Sequence, residues 1–334
     1  MIGRERIIRA FNNEPVDRVP MGFWKHFVVG PSQFKGLEDE SILDRTSEEH
    51  IRYFNEVKPD MMKIMSEGFF GYPPIMNNPL CTGEDLLKIK SIGKDHPWIK
   101  KQIAHVRNIS GNFKDSVAVF YNIFAPLQVI RLKFDFLDHE YDKFVYLAEH
   151  YPKELQQAGF EIQKDINYLV QGLFDAEAID GIYYCVQNIQ SKKFDRSRYA
   201  QLIKPTEIEV LENANNRSNL NILHICGYAH HSNDLETYLG YEAKTYNWAC
   251  HTEGISLEEG KKLFNGKCVL GGFDNNPETI LDTAPIEELQ EEAGKLVSKN
   301  AYNGFVLGAD CSLPDNFNPA RLVKIREVLE QRSN

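Results

Sequence analysis

The stretch "LNILHIC" at residues 220–226 combines the pattern of a buried strand with two metal-binding side chains at its end. Because side chains alternate across a strand, one face carries, in order, Leu220, Ile222, His224 and Cys226. Two apolar residues come first and two ligand types follow. This order predicts a strand that begins in a hydrophobic core and ends at a rim, as in an α/β barrel, where the active site lies at the carboxyl ends of the strands.

Seven further apolar runs bounded by turn residues predict strands at 18–24, 60–66, 116–123, 181–187, 243–250, 267–274 and 304–310. Helical patterns lie between them at 44–56, 97–108, 139–174, 196–215, 256–264, 285–300 and 318–330. Strands that alternate with helices predict parallel βαβ units, and eight of them predict a closed (β/α)₈ TIM barrel. We expect a single domain over residues 1–334, with an N-terminal helical segment and an excursion at 68–115, after the second strand.

A doubly wound open sheet is the alternative architecture. It is disfavoured because no G-x-G-x-x-G follows the first predicted strand and no G-x-x-x-x-G-K-[ST] occurs in the chain.

The composition is that of an ordinary globular protein, with 42% hydrophobic and 26% charged residues among 334. The formal net charge of −10 argues against a nucleic-acid partner, which usually requires a basic face. No run approaches 18 uninterrupted apolar residues, so no membrane span is expected. The first twenty residues lack the apolar core of a signal peptide, which predicts a cytoplasmic protein. A homodimer is compatible with the sequence, which does not separate an interface from a core face.

The six cysteines lack the close spacing of a disulfide framework and are expected to be thiols, used in packing or metal chemistry. In "GFVLGADC" at 304–311, alternation puts Phe305, Leu307, Ala309 and Cys311 on one face. If that face looks inward, Cys311 emerges beside His224 and Cys226. One imidazole and two thiolates suit zinc, and a catalytic zinc keeps three protein ligands plus an open position. The alternative is a hydrogen-bonded core histidine with two cysteines that act as small buried hydrophobes.

Five motifs together resemble the uroporphyrinogen decarboxylase superfamily, in order as well as in content: "RERIIRAFNNEPVDRVP" (4–20), "GIYYCVQ" (181–187), "HICG" (224–227), "VLGGFDNNPETIL" (269–281) and "GFVLGADCSLP" (304–314). The superfamily is a single-domain (β/α)₈ barrel with two chemical branches. Its decarboxylases follow the first strand with an arginine-rich stretch and use an aspartate after the second strand. Here "GFWKHFVVGP" (22–31) contains no arginine, and Glu67 stands near the aspartate position. Tetrapyrrole decarboxylation is therefore disfavoured.

The other branch contains cobalamin-dependent methyltransferases, whose zinc motif is His-x-Cys followed by a distant Cys. His224, Cys226 and Cys311 match it position by position. The resemblance implies zinc-dependent transfer of a methyl group between a corrinoid (cobalamin), carried by a separate protein, and a small thiol or methyl ether. Zinc would favour the thiolate form of a thiol or polarise an ether oxygen. The sequence does not choose between these directions.

Further rim residues complete the predicted site. In "ACHTEG" (249–254), Glu253 is favoured as a fourth, displaceable zinc ligand, and Cys250 and His251 are the other options. Glu67 and Asp274 are the candidate catalytic groups, while Tyr184, Gln187 and Asn247 are candidates for substrate binding. Tyr184 and Gln187 lie on opposite faces of a regular strand, so at most one points inward. Structural alternatives are an ion pair of Glu67 with Lys63 and a turn role for Asp274.

Two other function classes stay open at this point. The first is a decarboxylase-like lyase that acts on a carboxylated substrate without metal, through Glu67 and Asp274. The second is a metal-binding barrel that has lost its chemistry.

Overall fold

The computed structural model describes residues 1–187, 195–227, 232–300 and 303–332. In this part of the chain, seven parallel strands pair in chain order: β1 (Met61–Ile64), β2 (Ala118–Phe124), β3 (Gly181–Val186), β4 (Ile222–Ile225), β5 (Thr245–Trp248), β6 (Cys268–Phe273) and β7 (Phe305–Ala309). Seven of the predicted strands are thus found, slightly shortened. The predicted α/β class is confirmed, whereas eight strands are not shown.

Helices connect the strands: α1 (Gly3–Phe11), α2 (Glu40–Val57), α3 (Pro73–Met76), α4 (Gly83–Leu87), α5 (Pro97–Ser110), α6 (Pro126–Leu132), α7 (Lys143–His150), α8 (Pro152–Asp175), α9 (Arg196–Leu202), α10 (Lys204–Asn215), α11 (Cys250–Glu253), α12 (Leu257–Leu263), α13 (Ile280–Thr283), α14 (Ile286–Lys299) and α15 (Ala320–Gln331). Short 3₁₀ turns occur at Gly30–Phe34 and Leu235–Tyr238, and a π turn at Lys133–Asp138. The helices predicted at 139–174 and 196–215 are each divided in two. Pro152 and Pro205 lie at these breaks, each in the first turn of the second helix. A proline is tolerated there but not in a helix interior, so each predicted helix ends before its proline. None of the described helices has both the length and the apolar character that a membrane span requires.

The segment at 18–24, predicted to be the first strand, forms one isolated parallel bridge to β7, between Met21 and Leu307, rather than a strand. The N–H of Gly22 donates to the Leu307 carbonyl at 2.9 Å, and the Asp60 N–H donates to the Met21 carbonyl at 3.0 Å. The segment therefore lies between β7 and the start of β1. A continuous ladder does not form, because Pro20 has no N–H and the Met21 N–H donates to the Asp60 carboxylate at 2.9 Å. A Cβ on Gly308 would lie 2.6 Å from the Gly22 carbonyl oxygen, so this close approach requires glycine.

The inward faces of the strands form one buried cluster. Leu220 and Ile222 belong to it as predicted, together with Met61, Ala118, Phe120, Tyr183, Cys185, Cys268, Leu270 and Val306. The predicted parity of β7 is wrong, because Val306 belongs to this inner cluster while Phe305, Leu307 and Ala309 pack in the outer one. Cys311 must therefore reach the inner side in another way. The strand ends at Ala309 and the chain bends at the next residues.

Buried ion pairs hold the N-terminal segment against the amino end of β1. The carboxylate of Asp60 contacts Arg6 at 2.5 Å and Arg18 at 2.7 Å, and all three side chains are less than 10% exposed. Phe11, at the end of α1, packs against Phe120 within the inner cluster. The first motif of the sequence thus closes the end of the sheet opposite to the strand ends that carry the site.

The excursion at 68–115 contains α3, α4 and α5. Buried Asp165 on α8 accepts hydrogen bonds from the Tyr72 hydroxyl at 2.5 Å and from the N–H of Ile92 at 2.8 Å and of Gly93 at 3.0 Å. This carboxylate fixes the middle of the excursion to α8.

Candidate metal centre

A cavity of about 330 Å³ opens at the carboxyl ends of β1 to β4, and His224, Cys226 and Cys311 lie in its wall. Its apolar wall consists of Val29, Met65, Phe70, Phe124, Leu132, Phe136 and Val186. A mostly apolar concave site with a few polar groups is typical of a small-molecule site.

The three predicted ligands converge in this wall. The Sγ atoms of Cys226 and Cys311 are 3.9 Å apart, and the Cys311 Sγ is 3.5 Å from Nε2 of His224. All three donor atoms lie within 4.8 Å of one another. Cys226 follows β4 and is fixed by its N–H bond to the Val186 carbonyl, while Cys311 comes from the bend after β7. The structure therefore brings together residues that are 85 positions apart in the sequence.

Asn247 fixes the ring of His224. Its amide nitrogen donates to the carbonyls of Leu270 at 2.8 Å and Ala309 at 3.1 Å, so its oxygen must be the acceptor that faces His224 Nδ1. Nδ1 of His224 is therefore the protonated nitrogen, and Nε2 presents its lone pair to the two thiols. Histidine ligands are usually oriented by such a second hydrogen bond. Asn247, predicted to bind substrate, is fully buried and instead acts on His224.

The two thiols influence each other's ionisation. The contact with Cys226 and the nearby His224 lower the pKa of the Cys311 thiol, whereas the contact with Cys311 and burial raise the pKa of Cys226. This is the pattern of two sulfurs that share one proton. A divalent cation removes the need for that shared proton, because thiolates are the metal-binding form. The donor set of one imidazole and two thiols, with one side open to the cavity, fits zinc with a free position.

Glu253, the predicted fourth ligand, lies behind the centre. Its carboxylate accepts hydrogen bonds from the N–H of Asn233 at 2.5 Å and from its side-chain amide at 2.8 Å. The same Asn233 amide donates to the Cys226 carbonyl at 2.8 Å. A Cβ on Gly227 would lie 2.3 Å from a carboxylate oxygen of Glu253, so any larger residue there would displace that carboxylate. In this arrangement Glu253 supports the backbone of Cys226 and is not among the converging donor atoms.

A second cluster supports Cys311. Buried Asp310 accepts hydrogen bonds from the Cys250 thiol at 2.8 Å and from the N–H of His251 at 2.8 Å, and its Oδ2 lies 2.9 Å from His251 Nδ1. This hydrogen bonding raises the pKa of His251. Because Asp310 points to the start of α11, the chain turns between Asp310 and Cys311, and Cys311 faces the cavity.

Glu67 is fully buried after β1 and does not line the cavity. Its Oε1 lies 3.0 Å from His26 Nδ1 and accepts a hydrogen bond from the Phe27 N–H at 3.1 Å, while its Oε2 has no partner among the described residues. His26 does line the cavity, so Glu67 reaches it through that imidazole. The ion pair with Lys63, weighed from the sequence, is not formed among the described residues.

The remaining predicted residues separate into two groups. Gln187 lies in the cavity wall and accepts a hydrogen bond from Gln128 at 3.1 Å. Tyr184 points outward, where its hydroxyl donates to the Glu207 carbonyl at 3.0 Å. Asp274 accepts the N–H of Asn276 at 2.9 Å and so caps its own turn, outside the cavity wall.

Sequence reasoning missed the cavity roles of Lys63, Cys185 and His26. Strand alternation could have identified two of them. Lys63 lies on the same strand face as the inward residues Met61 and Met65, and Cys185 lies on the same face as inward Tyr183. His26 follows no regular element, so parity could not have found it.

The parallel fold and the His-Cys-Cys centre define an α/β protein with a candidate metal site at its strand ends. Residues 65–331 match the family model for uroporphyrinogen decarboxylase (URO-D), and the chain belongs to that family. The family predicted from the sequence is therefore confirmed.

Two solved structures share the fold. A methyltransferase from Methanosarcina mazei superposes with a TM-score of 0.70 at 12% identity, covering 99% of each chain. A B12-independent methionine synthase from Shewanella sp. W3-18-1, in complex with selenomethionine, gives 0.55 at 14% identity and covers 94% of this chain and 96% of that one. No match was found among curated proteins. At these identities the likeness concerns the fold.

Proposed function

We propose that this protein is a zinc-dependent methyltransferase that moves a methyl group between a corrinoid on a partner protein and a small thiol or methyl ether. The observation that carries the proposal is the convergence of His224 Nε2, Cys226 Sγ and Cys311 Sγ in the wall of the cavity at the strand ends. Zinc held there would supply Lewis acidity, which favours a bound thiolate or polarises a bound ether oxygen. The URO-D family and the methyltransferase fold are compatible with this chemistry.

The residues of the chain have distinct tasks in this proposal. Asn247 keeps the lone pair of His224 Nε2 directed at the metal position. Asn233 fixes the backbone of Cys226, and Asp310 fixes the backbone next to Cys311. The apolar wall excludes water from the reacting group, which strengthens every electrostatic interaction within the cavity.

The corrinoid is expected to approach from outside, because the strand interior is filled with side chains. Val29 and Phe136 line the cavity and remain 48% and 49% exposed, so they form an apolar part of its rim. An exposed apolar rim around a functional cavity suits a transient protein partner.

Metal analysis of protein purified without chelator tests the proposal. We expect one zinc per chain in the wild type, and loss of zinc and of methyl transfer from methylcobalamin in Cys226→Ala and Cys311→Ala. Cys81→Ala is the matched control, since Cys81 is exposed and is not part of the cavity wall. Wild-type protein without zinc would reject the proposal.

A further inference from the structure

Lys63 is a buried cation that lacks a counter-ion in the described part of the chain. It lies on β1, is 5% exposed, and lines the same cavity as the three metal ligands. Its Nζ makes no hydrogen bond and no ion pair with a described residue. A buried ammonium without a partner anion is costly, so such a group normally implies an anion that the site is built to receive.

Aromatic rings hold the Lys63 ammonium in place. Nζ lies 3.9 Å from the ring centre of Tyr183 and 5.0 Å from that of Trp24. The Tyr183 hydroxyl donates at 2.6 Å to the same Asn247 oxygen that faces His224. Lys63 and the His224 ring are thus positioned by one connected group of side chains, and cation–π contacts fix the direction of the charge.

The ionisable groups that influence Lys63 are mainly thiols. Burial lowers the pKa of Lys63, and the thiols of Cys185, Cys311 and Cys226 oppose this effect, with a smaller contribution from Glu67. Lys63 is the only lysine or arginine among the described residues of the cavity wall. An anion that enters the cavity therefore meets this one lysine as its nearest source of positive charge.

We propose that Lys63 compensates the negative charge of a substrate bound as a thiolate, and so selects thiols over methyl ethers. This inference rests on the proposed zinc function and deepens it. Two cysteine thiolates neutralise the charge of zinc, so a third thiolate leaves one negative charge in a buried site. The thiol S–H bond breaks, its proton passes to water, and the Lys63 ammonium balances the charge that stays on sulfur. A methyl ether is neutral when it binds, so its binding gains nothing from Lys63; only the alkoxide left after its methyl group is transferred would carry a charge.

Co²⁺-loaded protein provides a direct test, because sulfur-to-cobalt absorption reports thiolate binding without turnover. We expect Lys63→Met to bind one Co²⁺ per chain, and to bind 2-mercaptoethanol about 30-fold or more weakly than the wild type. Lys63→Arg, which keeps the charge, should recover part of the affinity. Imidazole, a neutral ligand, should bind Lys63→Met and wild type equally. Lys153→Met is the control for loss of an exposed lysine on α8.

The outcomes separate the two levels of the proposal. Equal thiol affinity in Lys63→Met and the wild type overturns the role of Lys63, as does an equal loss of imidazole and thiol affinity, which would indicate a role in shape. Acetate that binds the metal-free protein and depends on Lys63 would instead make it a carboxylate anchor. Failure of the wild type to bind Co²⁺, measured before any thiol is added, overturns the zinc proposal and this inference with it. If Lys63→Met does not fold, Lys63→Gln takes its place.

Discussion

Asn247 on β5 hydrogen bonds through its side-chain oxygen to Nδ1 of His224 on the neighbouring strand β4. The amide nitrogen of Asn247 already donates to two backbone carbonyls. In the contact with His224, Asn247 is therefore the acceptor and Nδ1 of His224 is the donor. The tautomer of the histidine, and with it the nitrogen available to a metal, is therefore determined by an uncharged residue 23 positions further along the chain.

Replacement of Asn247 by leucine should weaken zinc binding about 10- to 100-fold, because the imidazole loses the acceptor that fixes its tautomer. Competition with a chromophoric chelator measures the affinity, and Asn108→Leu, at an exposed position on α5, is the control. Unchanged zinc affinity in Asn247→Leu would show that the ring is held by other contacts.

Glu253→Ala should retain one zinc per chain, with an affinity reduced by at most about tenfold, because Glu253 acts through Asn233 on the Cys226 backbone. Its loss should also lower the free energy of unfolding by about 1–3 kcal/mol, since the Asn233 donors lose their acceptor. Metal analysis and urea unfolding check both effects, with the exposed Glu258→Ala as control. Complete loss of zinc, as in Cys226→Ala, would identify Glu253 as a ligand after all.

Asp60→Asn should reduce the free energy of unfolding by about 3–5 kcal/mol, because Arg18 would lose its buried carboxylate partner and Arg6 would keep only Asp17. The matched control is Asp175→Asn, which breaks the largely exposed pair with Arg217 and should cost about 1 kcal/mol or less. Denaturant unfolding distinguishes the two. Similar values for both variants would refute the structural role assigned to the buried cluster.

Glu207 should make stability depend on pH between about 4.5 and 7. Burial raises the pKa of this carboxyl from 4.5 to about 7, against the hydrogen bonds from Tyr241 and Tyr199. The folded chain thus holds the proton more tightly than the unfolded chain. The contribution is complete below the unfolded pKa and is lost as the pH rises through the folded one, a change of about 3 kcal/mol.

The variant Glu207→Gln removes this titration. The difference in the free energy of unfolding between the wild type and Glu207→Gln should therefore change between pH 4 and 8, with the wild type losing stability relative to the variant as the pH rises. Denaturant unfolding at several pH values measures it. Parallel pH profiles for the two proteins would exclude Glu207 as the titrating group.

The sequence predicted those parts of the fold that depend on local periodicity. Apolar runs and turn residues located seven strands, and parity correctly placed Leu220 and Ile222 in the inner cluster. Parity failed in β7, because apolar residues lie on both faces of a strand that is covered on both sides. The segment at 18–24 was also predicted to be a strand. Its sequence could not reveal that the Met21 N–H donates to the Asp60 carboxylate instead of to a neighbouring strand.

Short-range patterns and motif order were enough to predict the parallel α/β class, the family and the three residues that can bind a soft metal. How those residues are used depends on the folded arrangement of the strands. This arrangement turned Cys311 inward through a bend that Asp310 holds, assigned Asn247 to His224 and put Glu253 behind Cys226. It also placed Lys63 in the cavity with no counter-ion among the residues that the structure describes. These relationships join residues from different strands, whose distances are set only when the sheet curls around its inner cluster.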